Sequence, residues 1–122
     1  MARTTDDFEK VYEFVMSDPP WIPHAMLDVM AHERIANFDL EQRIFAQLRS
    51  DRLEERVRGL TTPTLIVWGR EDRAIDVGTA DVLHGLLPNS QVIVMEHIGH
   101  LPHLEDPRRS ADDYMRFRAG LH

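Results

Sequence analysis

Val67-Trp68-Gly69-Arg70-Glu71-Asp72 and Gly99-His100-Leu101-Pro102-His103-Leu104-Glu105-Asp106-Pro107 each follow an apolar run, residues 64–68 and 91–95. Both runs are short and continuously apolar, which predicts strands buried on both faces, as in a parallel sheet. Residues 77–87 between them read as a helix closed by Pro88-Asn89, with Gly85 a weak point inside it. Asp106 is placed to cap a last helix that Pro107 begins. Strand, helix, strand, helix implies right-handed parallel crossovers. The two strands are then expected side by side, about 4.8 Å apart, with Asp72 and His100 at the same carboxyl end. Open α/β sheets build their active sites in that crevice.

An aspartate and a histidine delivered to one crevice have a defined chemistry open to them. Histidine titrates near neutrality, so it can take a proton from a hydroxyl and return it to a leaving group. An aspartate on the other ring nitrogen fixes the tautomer and stabilises the imidazolium. His100 and Asp72 are therefore the candidate catalytic base and acid, with Gly99 expected to permit a tight turn ahead of the imidazole. Asp72 can also be read as an Asx-turn residue. Asp76 reads as a cap for the helix beginning near Val77, and Glu71 is expected to point elsewhere. The nucleophile is missing. Ser17, Ser50, Ser90 and Ser110 lie in Met-Ser-Asp, Arg-Ser-Asp, Asn-Ser-Gln and Arg-Ser-Ala contexts. None is the G-x-S-x-G elbow that lifts a serine above a sheet.

Residues 60–117, roughly half the chain, run as a Pro-led strand, Trp-Gly-x-x-Asp, a helix ending in Leu-Pro, a strand, Gly-His-x4-Glu-x-Pro and a last helix. This order resembles the carboxyl-terminal part of the α/β-hydrolase superfamily, specifically its esterase- and lipase-like members. Either motif alone would be weak; the pair in this order and spacing is specific. Residues 8–53 look like the helical cap such enzymes insert between the nucleophile half and the acid–histidine half. The resemblance implies an α/β fold made of a helical cap-like segment, 1–58, and two parallel strand–helix units, 59–122, divided near Gly59. It implies Asp72 as triad acid and His100 as triad base of a serine hydrolase acting on carboxyl esters or related acyl bonds. No position corresponds to the nucleophile or the oxyanion-hole donors, which would belong to a missing amino-terminal half, so the chain alone is expected to be inactive. Two alternatives stay open. One is a non-catalytic hydrolase remnant serving in binding or assembly. The other is part of a dehalogenase- or epoxide-hydrolase-type enzyme, whose nucleophile is an aspartate.

With 122 residues and 43% apolar content, length permits one domain. Two strands, however, leave unpaired edges and an uncovered apolar face. The expected cover is the missing amino-terminal half or self-association. Fourteen Lys and Arg against 21 Asp and Glu give a net charge of −7, which argues against nucleic acid or an anionic membrane surface as partner. The partner expected instead is a small ester-like substrate. Zero cysteines exclude disulfides and thiolate metal sites within the chain. With no apolar run of membrane-spanning length and no apolar leader after Met1, the reading predicts a soluble, cytoplasmic protein. His97, His100 and His103 recur every third residue, but Gly99, Pro102 and Pro107 break any regular helix, so neither metal nor cofactor is expected. Glu105 reads as a structural carboxylate near the start of the last helix.

Before residue 59 the periodicity is helical. Thr4 or Thr5 can cap a first helix with Phe8, Val11, Tyr12 and Val15 on one face, ended by Ser17-Asp18-Pro19-Pro20. A second helix is expected over 24–36, burying Met26, Val29, Met30 and Ile35. Asp39 with Gln42 resembles a capping box for a third, carrying Leu40, Ile44, Phe45 and Leu48. The charged stretch 49–58 continues helical, and the last helix is expected to bury Ala111, Tyr114, Met115 and Phe117. Most of these apolar side chains are expected to pack. Trp21, Met26, Met30 and Phe45 are the candidates for lining a substrate pocket.

Overall fold

The computed structural model describes residues 3–48 and 53–121. The predicted helix over 49–52, and Ser50 with it, lies outside the described residues. Two strands, β1 (Thr64–Gly69) and β2 (Ser90–Met95), each one residue longer than predicted, pair in parallel with Thr64 opposite Ser90 and Gly69 opposite Met95. They are linked by helix α5, Gly78–Leu86. Asp76 Oδ1 accepts the Gly78 amide at 2.8 Å, as expected of its cap position. Side chains alternate along a strand, and Ile66, Trp68 and Val92 turn toward α5 to meet Ala80, Leu83 and Leu87. This is the core of the sheet half.

The opposite face is only partly covered. The continuously apolar strands were expected to be buried on both sides, yet Leu65, Val67 and Ile93 are half-buried. The sheet of described residues has two strands and therefore two open edges. Helix α7, Pro107–Ala119, starts under the Asp106 side chain, which accepts the Arg109 amide at 3.0 Å. Of its expected apolar face, only Phe117 is half-buried. Ala111, Tyr114 and Met115 are exposed, and Asp113 is the buried residue at 5% exposure. Asp113 and Phe117, one turn apart on the same side of α7, line a groove with Gln91 and Ile93 of β2. The helix therefore presents Asp113 with Phe117 toward β2, where hydrophobicity alone selects Ala111, Tyr114 and Met115 beside Phe117. Arg116 pairs with Asp113 Oδ1, and Arg109 stands 3.9 Å from Oδ2, which has no hydrogen-bond partner.

Before the sheet, α1 (Thr5–Val15), α2 (His24–Ala36), α3 (Phe38–Leu48) and α4 (Leu53–Val57) follow one another, with α1 against α2 and α2 against α3. Thr4 caps α1 by accepting the Asp7 amide at 3.1 Å. The Asp39–Gln42 capping box does not form the start of α3. That helix begins at Phe38, directly after Asn37, whose carbonyl accepts the Glu41 amide at 2.9 Å. Most of the predicted stripe on α2 is also exposed, with Ile35 half-buried. Ala31 is its buried residue, while Met26, Val29 and Met30 are exposed. After α4, Gly59 turns the chain with a φ of 78°, a left-handed conformation that suits glycine. No helix among the described residues is long and apolar enough to cross a membrane.

Candidate active site

Pairing continues past the ends of both strands. The Arg70 amide donates to the Met95 carbonyl and the Glu71 amide to the Ile98 carbonyl, each at 2.9 Å. The two exit loops thus remain in contact as far as Asp72 and His100. Two glycines make that closeness possible. A Cβ on Gly69 would stand 1.9 Å from the Gly99 carbonyl oxygen and 2.3 Å from that of Ile98. A Cβ on Gly99 would stand 2.7 Å from both the Ser17 nitrogen and the Val15 oxygen. Gly99 is therefore required for close backbone approach. The left-handed residue of this turn is His97, with a φ of 62°.

Asp72 and His100 meet at the carboxyl end of the sheet. His100 Nδ1 lies 2.9 Å from Asp72 Oδ2. Asp72 Oδ1 accepts the Ala74 and Ile75 amides at 2.8 and 2.9 Å, so the Asx turn and the contact with the imidazole use different oxygens of one carboxylate. The Asp72 side chain is 4% exposed and that of His100 35%. Burial pushes the Asp72 carboxyl up, but the His100 hydrogen bond and the Ile75 and Ala74 amides together hold it below the usual aspartate value of 3.8. An ionised carboxylate only accepts, so in the neutral ring the proton sits on Nδ1 and Nε2 keeps its lone pair.

A depressed carboxyl pKa has a definite sign for stability. The ionised Asp72 stabilises the fold fully above its unfolded value and ceases to do so as pH falls through the lower folded value. In urea titrations the gap between the native chain and Asp72→Asn should be widest above pH 3.8 and narrow as the solution is acidified below it. A gap constant from about pH 6 to about pH 2 would show that the Asp72 charge contributes nothing to the fold.

A cavity of about 170 Å³ opens beside the pair, lined by Val67, Trp68, Gly69, Asp72, Ile75, His100 and Pro102. The Trp68 indole N–H donates to the Ile75 carbonyl at 3.2 Å and ties the Asp72 loop to β1. Glu71 turns away from this cavity, pairing with the Ser17 hydroxyl and with His97 Nδ1, the latter at 3.2 Å. No described serine hydroxyl reaches His100. Besides Ser17 on Glu71, Ser90 donates to the Leu87 carbonyl at 2.7 Å and Ser110 to the Pro102 carbonyl at 2.9 Å. Trp21, Met26, Met30 and Phe45 are not among the residues lining this cavity and stand exposed on the helical segment.

The sequence reading missed the neighbourhood of the His100 loop. Helix α6, a single turn at Pro102–Glu105, begins two residues after His100. Its Glu105 carboxylate accepts amides of Ser17, Asp18, Gly99 and Leu101, and the cap of α7 is left to Asp106. The position of Glu105 in the Gly-His-x4-Glu-x-Pro pattern was the only available signal. Its partners at Ser17 and Asp18 are 88 and 87 residues away.

Known proteins resemble this chain over nearly its whole length. Lipase 3 of Moraxella sp. (strain TA144) is 40% identical over 99% of this chain, and Lipase 1 of Psychrobacter immobilis 39% identical over 99%. The chain spans 39% of the length of each. The crystal structure of a membrane phospholipase A, described as a bacterial virulence factor, superposes with a TM-score of 0.91 at 33% identity, covering 97% of this chain and 39% of that one. The model of the alpha/beta hydrolase fold matches residues 18–107. With that match spanning most of its length, the chain belongs to the alpha/beta-hydrolase family.

Proposed function

We propose that Asp72 and His100 are the acid and base of a Ser-His-Asp triad that cleaves carboxyl esters, and that the nucleophilic serine comes from sequence outside these 122 residues. The observation carrying this reading is the 2.9 Å contact between His100 Nδ1 and a buried, ionised Asp72. That contact leaves Nε2 free to take the serine proton as the hydroxyl oxygen attacks the ester carbonyl. His100 then returns the proton to the departing alcohol, and water releases the acyl group by the same route in reverse. Asp72 holds the ring and stabilises the imidazolium without itself taking the proton. The relatives named as lipases favour a serine over an aspartate nucleophile and an ester over a carbon–halogen bond or an epoxide.

On this reading residues 1–58 form a cap-like segment and 59–122 the acid–histidine part of the core. Trp21, Met26, Met30 and Phe45 then serve as apolar contacts for the substrate, once the cap is seated over the complete sheet. The half-covered face and open edges of β1 and β2 are where the nucleophile-bearing half docks.

A p-nitrophenyl ester assay tests the proposal. The chain by itself should hydrolyse the ester no faster than free imidazole, because the positioned nucleophile and oxyanion donors supply most of the rate. Pairing it with an amino-terminal half that carries the elbow should restore turnover. Failure of every such pairing to produce turnover, with the two halves associated, would contradict the assignment.

A further inference from the structure

We infer that Glu105 is the positioning residue of His100, acting through the backbone on both sides of it; this rests on reading His100 as the catalytic histidine. One oxygen, Oε2, accepts the amides of Gly99 at 2.9 Å, Ser17 at 2.7 Å and Asp18 at 3.1 Å. The other, Oε1, accepts the Leu101 amide at 3.2 Å. Gly99 and Leu101 are the immediate neighbours of His100, so a single carboxylate holds the amide of the residue before the histidine and the amide of the residue after it. His100 adds its own amide, donated to the Val15 carbonyl at 2.7 Å. The exit of α1 and the His100 loop are thereby fastened to each other around the Glu105 head group.

Four converging donors call for a charged acceptor. Hydrogen bonds to an ionised carboxylate are about twice as strong as neutral ones. A glutamine in the same place would present one oxygen and turn an NH2 donor toward an amide donor. Asp72 is anchored separately, by the Ala74 and Ile75 amides. Loss of the Glu105 carboxylate therefore moves the histidine and leaves the acid in place. A misplacement of about 1 Å costs on the order of 100-fold in rate where a proton has to be passed along a hydrogen bond.

The test follows the His100 ring and the flanking amides in the whole 122-residue chain labelled with ring-15N histidine, His100→Asn identifying its signals. In the native chain His100 should be in the Nδ1–H tautomer. In Glu105→Gln the signals should move toward the tautomer mixture of free imidazole. Exchange of the Gly99 and Leu101 amides should accelerate about tenfold or more while the β1 and β2 amides keep their native rates. Glu105→Asp, one methylene short, should give the same pattern in milder form. An unchanged tautomer in Glu105→Gln would overturn the proposal, whether exchange is unaltered or rises uniformly across the sheet. So would collapse of the folded spectrum in both variants, because a positioning role leaves the sheet intact. If the native chain itself lacks the Nδ1–H form, the Asp72–His100 pairing fails first. That outcome is visible without any change at Glu105.

Discussion

Replacing His100 by alanine in the hydrolase assembled with its nucleophile-bearing half should lower kcat/KM by about 10,000-fold or more, with KM little changed. On the proposed mechanism the imidazole touches the reacting proton in both the acylation and deacylation steps, and no other described histidine lines the cavity beside Asp72. His97 faces Glu71 and His84 faces Ser90. Asp72→Asn should cost about 1,000- to 10,000-fold, because an amide in place of the carboxylate no longer enforces the Nδ1–H tautomer. Both losses should appear in kcat, since neither residue is asked to bind the ground state. A His100→Ala variant within tenfold of native turnover would remove the histidine from the mechanism.

Gly69→Ala should be the most damaging small substitution in the chain, costing about 3 kcal/mol of stability together with the site. Its new methyl would enter at 1.9 Å from a backbone oxygen of the His100 loop, and backbone cannot swing aside as a side chain can. The loop has to retreat, separating His100 from Asp72. Gly85→Ala provides the opposite sign. It lies inside α5 with nothing within 4 Å of the added carbon, so it should stabilise by about 0.5–1 kcal/mol through helix propensity. Urea midpoints at one fixed protein concentration distinguish the two. Equal and small effects would mean that the close crossing of the two exit loops is absent in solution.

The sheet half was legible because its signals are local. Two unbroken apolar runs specify strands, Pro63, Pro88 and Pro107 punctuate them, and strand–helix–strand connectivity makes them parallel neighbours. Asp72 and His100 then had to arrive at one end, because each stands a few residues beyond a strand that pairs in step with the other. The helical half was legible in its boundaries but not in its burial. Which stripe of α2 or α7 is covered depends on what lies against it, and Met26, Val29, Met30, Tyr114 and Met115 are exposed where periodicity alone would bury them. Glu105 shows the limit of spacing arguments. A carboxylate near a helix start reads as an end-of-helix charge, whereas its function in the fold depends on amides at Ser17 and Asp18, contributed by a distant turn. The need for glycine at 69 and 99 likewise comes from two loops crossing, which a one-dimensional pattern cannot display.

The central claim is that this chain brings the acid and the base while the nucleophile lies elsewhere. Labelling with a fluorophosphonate, followed by peptide mass spectrometry, examines it most directly. Such a reagent reacts with a serine whose hydroxyl is activated by a neighbouring base. The account predicts no adduct at Ser17, Ser50, Ser90 or Ser110 when the chain is treated alone. It also predicts one adduct, on a serine outside these 122 residues, when the nucleophile-bearing half is present, with labelling abolished by His100→Ala. Stoichiometric modification of any of the four serines in the isolated chain would contradict it.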